Sequence, residues 1–404
     1  MHRREILKAA FALAPIMIAS RAFAAPQAGS SRLLLVFLRG AYDAANIVAP
    51  VGNGFYHEAR PTIALAAPDS GNPNAALPLE GDWALHPALR DSIYPLWQTK
   101  QIAFVPFTGT DDMSRSHFET QDTIELGQPI QGPRHYRSGF MARLADALGA
   151  DRPIAFSDQV PLCFQGAATR AVPNIAIAGN LKPAIDPRQA ALIEAMYQSG
   201  SGAGVQLSQS VAEGFATRET VFRSLSDEMA QASRGAVTPK GFELSARRIG
   251  TLMRDQYNLA FVDVGGWDTH VNQGGAQGYL ADRIGELGRG LMGFIEEIGP
   301  AAWRDTTIIV LSEFGRTFHE NGDKGTDHGH GSIYWVLGGS VAGGRLAGPQ
   351  IRIAPETLNQ HRDLPVLTDY RGLIGGIVQR QFGLDSARMS MVFPDMSPAE
   401  LGLI

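Results

Sequence analysis

The stretch RLLLVFLRG, Arg32 to Gly40, places six consecutive apolar residues between an arginine and an Arg-Gly turn. A run without polar alternation suits a strand buried on both faces, because neither set of alternate side chains then meets water. The same form recurs in QIAFVPF (101–107), YNLAFVDVGG (257–266), DTTIIVLSEFG (305–315) and SIYWVLGG (332–339). Helical patterns lie between the runs. In residues 279–299, Leu280, Ile284, Leu287, Leu291, Phe294, Ile295 and Ile298 recur at spacings of three and four, one apolar face of a helix. Strands alternating with such helices indicate an α/β fold: a mostly parallel central sheet flanked by helices. Residues from about 186 to 255 read as a mainly helical insertion, broken by SGSGAG (199–204), and a last helix is expected from Asp369 to Phe382.

Polar clusters fall where such strands end, and open α/β sheets bind ligands at the carboxyl ends of their strands. Arg39 and Asp43 follow the first run, and TDDMSRSHFETQD (110–122) the second. Asp268 and His270 follow the third, Glu313 and Arg316 the fourth, and GTDHGHG (325–331) stands just before the last. Five clusters rich in His, Asp, Glu and Arg favour one shared site over five solvated loops.

Asp, Glu and His suit zinc, manganese or a similar divalent ion. The candidate ligands are Asp43, Asp268, His270, Glu313, Asp327, His328 and His330. In an extended run His328 and His330 share one side, with Asp327 opposite unless the loop twists. Ser116, followed by Glu119 in a helical run, reads as a capping box; a serine at a helix start also suits a phosphoryl- or sulfuryl-accepting nucleophile. Arg39, Arg115 and Arg316 offer planar forks for a tetrahedral oxyanion, or salt bridges at a polar sheet edge.

The N-terminus carries an address. Arg3-Arg4, then Ile6-Leu7-Lys8, a moderately apolar stretch and Ala22-Phe23-Ala24 resemble a twin-arginine export signal with a small-x-small cleavage site, spanning residues 1–24. Its apolar core falls short of the ~20 residues that span a bilayer, so no transmembrane anchor is expected in the mature chain. The expected partner is the twin-arginine translocation machinery, and the destination periplasmic or extracellular. The chain of 404 residues has one cysteine, Cys163, so no intramolecular disulfide is available in that oxidising setting. Net charge is −5 and basic residues are scattered, which gives no footprint for nucleic acid.

LLVFLRGAYDAANIVAP, RSHFETQD, GGWDTH, SEFGRT and GTDHGHG, in that order, resemble the bacterial domain-of-unknown-function family 1501 (DUF1501) over essentially the whole mature chain, residues 30–404. That family is grouped with the alkaline phosphatase and sulfatase superfamily. The resemblance implies an alkaline phosphatase-like α/β sandwich and hydrolysis of small-molecule phosphate or sulfate esters at a metal site. By the same resemblance Ser116 takes the nucleophile position, Asp268 and His270 an Asp/His ligand segment, and His328 or His330 the final histidine. Two positions depart from the pattern. Arg39 stands where a metal-binding Asp is usual, with Asp43 close by, and Phe314 follows Glu313 where a His is usual. One divalent ion, or a remodelled site, is therefore expected rather than the usual two. The alternative is a non-catalytic exported binding or assembly factor on a degenerate phosphatase-like fold.

Overall fold

The computed structural model describes residues 31–149, 152–157, 159–166, 172–175 and 241–404. The expected export signal, and residues 186–240 of the expected insertion, lie outside the described residues.

The run that opens the chain's core is strand β1, Arg32–Leu38. It is followed in chain order by β2 (Ile102–Gly109), β3 (Pro153–Phe156), β4 (Leu259–Val264), β5 (Thr306–Leu311), β6 (Ser332–Gly338), β7 (Arg345–Leu346) and β8 (Thr368–Asp369). They form one eight-stranded sheet in the order β7-β2-β6-β5-β1-β4-β3, with β8 also paired to β2. β1 pairs in parallel with β4 and β5, and β4 with β3. Only β6 runs against its neighbours β2 and β5. The expected mostly parallel sheet is thus present.

Why β1 is apolar throughout follows from its two faces. Leu34, Val36 and Leu38 enter one core with the helices α3 (Phe242–Asp255) and α4 (Tyr279–Trp303). Leu33, Leu35 and Phe37 enter the other, with α2 (Phe140–Leu148), α5 (Tyr370–Phe382) and α6 (Ser386–Val392). All six are no more than 2% exposed, so any one of the leucines cut to alanine costs about 2–5 kcal/mol. α4 shows the apolar spacing read from the sequence, and it breaks at Gly299 (φ +75°) before Pro300, which cannot continue a helix. The helix expected from Asp369 to Phe382 is present as α5, with Asp369 as N-cap accepting from the Arg371 amide, but it is not the last, since α6 follows it. No helix among the described residues is long and apolar enough to cross a membrane.

One buried histidine ties two distant loops on this scaffold. His86 is fully buried; its Nδ1 accepts from the Ala88 amide and its Nε2 donates to the Gly275 carbonyl. Burial pushes its pKa from an ordinary 6.5 down to about 4. The unfolded chain therefore takes up this proton first as pH falls. The stability held by neutral His86 is intact above pH 6.5 and lost progressively toward pH 4, by about 3 kcal/mol. Urea denaturation at pH 7.5 and 4.5 should show a smaller pH dependence for His86→Gln than for the parent chain, and equal pH dependence would refute this assignment.

Candidate metal centre

Antiparallel β6 explains the odd placement of GTDHGHG. Because β6 runs against the sheet, its N-terminal end lies at the edge where the other strands end. The segment preceding β6 therefore meets the segments following β1, β2, β4 and β5. The 313–317 segment pairs with 327–330: the Gly315 amide donates to the His330 carbonyl (2.8 Å), the Gly329 amide to that of Gly315 (2.8 Å), and the Thr317 amide to that of Asp327 (2.9 Å). The Thr326 amide donates to the Thr269 carbonyl (3.1 Å), which adds the loop after β4.

Two glycines allow this stacking. A Cβ on Gly325 would lie 2.2 Å from the His270 carbonyl oxygen, so only glycine lets the two histidine-bearing loops touch. Gly40, at φ +115°, would collide with the Asp268 amide at 2.7 Å, and its own amide donates to Glu313 Oε1 (2.9 Å).

Three imidazoles meet at this edge. His328 Nε2 lies 2.9 Å from His117 Nε2 and 3.1 Å from His270 Nε2. Asp268 adds its carboxylate: Oδ1 is 2.9 Å from His270 Nε2 and 3.4 Å from His328 Nε2, and Oδ2 is 3.6 Å from His117 Nε2. The other ring nitrogen of each histidine faces an acceptor. His117 Nδ1 donates to Glu313 Oε1 (2.7 Å), His270 Nδ1 to Asp327 Oδ1 (3.1 Å), and His328 Nδ1 to the Arg115 carbonyl (3.0 Å). A carboxylate or carbonyl acceptor requires the proton on Nδ1, so each neutral ring turns a lone pair on Nε2 toward the others. Lone pairs converging at hydrogen-bond distance repel unless a proton or a metal cation stands among them. Histidine ligands anchored through the opposite nitrogen are the usual outer arrangement of a metal site. His117, Asp268 and His328 thus form a group able to hold a metal ion, and His270 contacts two of them.

The surroundings fix this set. Glu313 is fully buried; burial opposes its ionisation, yet hydrogen bonds from His117, Gln121 and Ser312 outweigh that and hold its carboxyl below the ordinary range. The bond to Glu313 in turn raises the pKa of His117. His328 is pushed down, first by burial and then by the neighbouring His117 and Arg316 charges. Asp268 is only partly buried, and Arg316 with the three imidazoles keeps it ionised against that burial. Phe314, unable to bind a metal, stacks on His117 with ring centroids 5.0 Å apart and touches His328 at 5.3 Å. It forms an apolar wall that limits how these rings can turn. Arg115 carries a left-handed backbone (φ +51°) while its carbonyl receives His328, strain of the kind kept where geometry matters.

The residues singled out in the sequence therefore separate into three groups. Asp268, His270 and His328 come together. Glu313 and Asp327 stand behind them as hydrogen-bond acceptors for His117 and His270. Asp327 and His328 both reach His270, so the loop twists out of simple alternation. Asp43, Arg39, Arg115 and His330 do not join the cluster, for identifiable reasons. Asp43 is buried and takes both η nitrogens of Arg60 (2.5 and 3.0 Å) together with the Gln273 amide (2.7 Å). Gln273 also accepts from Thr269 and Thr326, so Asp43 buttresses the two histidine loops from beneath. Arg39 is held by Asp263 (2.6 Å), Glu125 (2.8 Å) and Gln121 (2.9 Å). Arg115 is held by Asp363 (2.6 Å) and Gln360 (2.8 Å). His330 is buried beside Arg115, Asp111 and Asp112, and burial lowers its pKa.

Arg316 is different. Its side chain is fully buried with Nη1 2.8 Å from Asp268 Oδ1, an ion-pair contact off the N–H direction. Nε and Nη2 have no hydrogen-bond partner among the described residues. Ser116 occupies the N-cap of α1 (His117–Leu126) without a side-chain cap bond, so the expected capping box is not formed. The candidate ligand missed in the sequence is His117, the residue after Ser116. Its signal was its place as first residue of a helix following a strand end, which the adjacent serine overshadowed.

Residues 30–393 match the family described as Protein of unknown function (DUF1501). The chain belongs to the DUF1501 family. No curated protein matches it. Structural likeness extends to the lipoteichoic acid synthase LtaP from Listeria monocytogenes, at 8% identity over 91% of this chain and 75% of that one, TM-score 0.37. It extends also to Ps i-CgsB in complex with k-i-k-neocarrahexaose, at 9% identity over 89% and 74%, TM-score 0.37. A third, BT1596, a 2-O GAG sulfatase, gives 7% identity over 92% and 76%, TM-score 0.27. Likeness at these levels says nothing about what a DUF1501 protein does. That question rests on the site itself.

Proposed function

We propose that this DUF1501 protein is an exported, metal-dependent hydrolase of phosphate or sulfate esters. The observation that carries the proposal is the convergence of three Nε2 atoms and the Asp268 carboxylate, with every Nδ1 anchored. The donor set, three nitrogens and one carboxylate, suits zinc or manganese. His117, His270, His328 and Asp268 would hold that ion, which supplies a Lewis acid for an ester oxygen.

The chain's own groups do the rest. Glu313, Asp327 and the Arg115 carbonyl keep the three rings in one tautomer and orientation. Arg316 holds Asp268 ionised. Ser116 sits at the start of α1, next to His117, with its hydroxyl free of capping, and the first amides of the helix favour an anion there. It is the nucleophile this arrangement offers, with a water molecule as the alternative attacker.

Turnover of p-nitrophenyl phosphate, bis(p-nitrophenyl) phosphate and p-nitrophenyl sulfate by the purified, metal-supplemented chain tests the proposal. Hydrolysis of at least one ester is expected, falling by about 10²-fold or more in His328→Ala. Metal bound without turnover of any of the three would favour the non-catalytic alternative, a binding or assembly factor, which draws support from Arg39 and Phe314 at positions where ligands are usual.

A further inference from the structure

Beside the metal centre, at the carboxyl ends of β1, β3 and β4, lies an open cleft of about 550 Å³. Its size is in the range of small-molecule pockets. Arg39, Asp122, Tyr136, Ser157, Gln165 and Asp263 line it.

The mixed charges around the floor favour neither an anion nor a cation. Arg39 has five N–H donors, three of them spent on Asp263, Gln121 and Glu125. Arg39 and Arg134 together face the carboxylates of Asp263, Glu125 and Asp122, and burial raises the pKa of Asp122 and Glu125, so an anion entering the cleft meets carboxylates as well as guanidinium groups. A cation would have to settle against the guanidinium itself. An uncharged ligand meets neither obstacle.

The walls specify what kind of uncharged ligand. Arg39 retains spare donors, and Asp122 and Asp263 offer acceptors. The Ser157 hydroxyl, which donates to Asp263 Oδ2 (3.4 Å), can still accept, and the Gln165 amide does both. Hydroxyl groups, which donate and accept, are the ligand groups that satisfy such a mixed set without leaving a partner unpaired. Beside them Tyr136 is half exposed, with its hydroxyl turned to Asp122, and Val160 is 41% exposed. This gives an apolar surface for the face of a ring whose edge is polar.

We propose that this cleft binds a neutral, hydroxyl-rich ring, a glycosyl unit by chemical class. Side chains connect it to the metal centre: Gln121 accepts from Arg39 and donates to Glu313, the acceptor of His117. Asp122 stands five residues after His117 on α1, about 7.5 Å along the helix.

Saturation-transfer NMR on the full chain tests this with the methyl α-D-pyranosides of glucose, galactose and mannose, and with glucuronate and glucosamine as charged counterparts. Saturation transfer is expected to at least one methyl glycoside, with little to the charged sugars. The signal should fall to baseline in Tyr136→Ala and Asp122→Asn while bound metal, read by elemental analysis, stays at the parent level. It should persist after chelator treatment, so failure of the metal centre and failure of the cleft are read separately. No transfer to any of the three glycosides, transfer unchanged in both variants, or stronger transfer to glucuronate would overturn the proposal.

Discussion

His328→Ala is expected to weaken divalent-cation binding by on the order of 10²–10³-fold, roughly one ligand's share of the 10–16 kcal/mol seen for four-ligand protein zinc sites. His328 is the residue to remove because its Nε2 touches both other imidazoles and Asp268. Asp268→Asn should act in the same direction. The anchors should cost less: Asp327→Asn or Glu313→Gln frees one ring to turn, an effect of about 10–100-fold. His330→Ala should leave affinity within about 3-fold, since His330 contacts none of the four donors and a distant side chain couples weakly. Competition titration with a chromophoric chelator gives all these values. Equal losses from His330→Ala and His328→Ala would contradict the assignment.

Arg60→Met is expected to destabilise the fold by about 3–5 kcal/mol, because it strands the Asp43 carboxylate in the interior. Arg60 and Asp43 have side-chain exposures of 0% and 1%. Asp43→Asn should cost a similar amount by leaving the guanidinium uncompensated. The double replacement Asp43→Leu with Arg60→Met should recover most of the loss, since a buried pair exchanged for apolar groups is often close to neutral. Urea denaturation of the four proteins measures this. A loss below 1 kcal/mol for Arg60→Met would show that the pair is not buried as described.

The sheet was legible because its strands are buried on both faces, which forces uninterrupted apolar runs such as Leu33 to Leu38. The helix α4 was legible for the complementary reason, one apolar face at helical spacing. The site was legible in part. Polar clusters at strand ends identified Asp268, His270 and His328, since topology alone brings strand ends together. Telling ligand from support was not possible, because Glu313 and Asp327 differ from ligands only in which atom they face. Asp43 looked like a ligand by its position after β1. Its partner Arg60, seventeen residues on, captures it in a pairing that sequence spacing does not signal. Arg39 likewise offered a fork for an oxyanion, yet its nitrogens are taken by Asp263, Gln121 and Glu125, residues spread from 121 to 263 in the chain.

The central claim is that one cation sits among three histidines and one aspartate. Anomalous scattering from crystals of the protein purified without chelators, recorded on either side of the zinc and manganese absorption edges, tests it most directly. The account predicts a single peak touching Nε2 of His117, His270 and His328 and the carboxylate of Asp268. A peak beside Asp43 or His330 instead, two peaks at the strand ends, or four donors with no anomalous scatterer among them would contradict it.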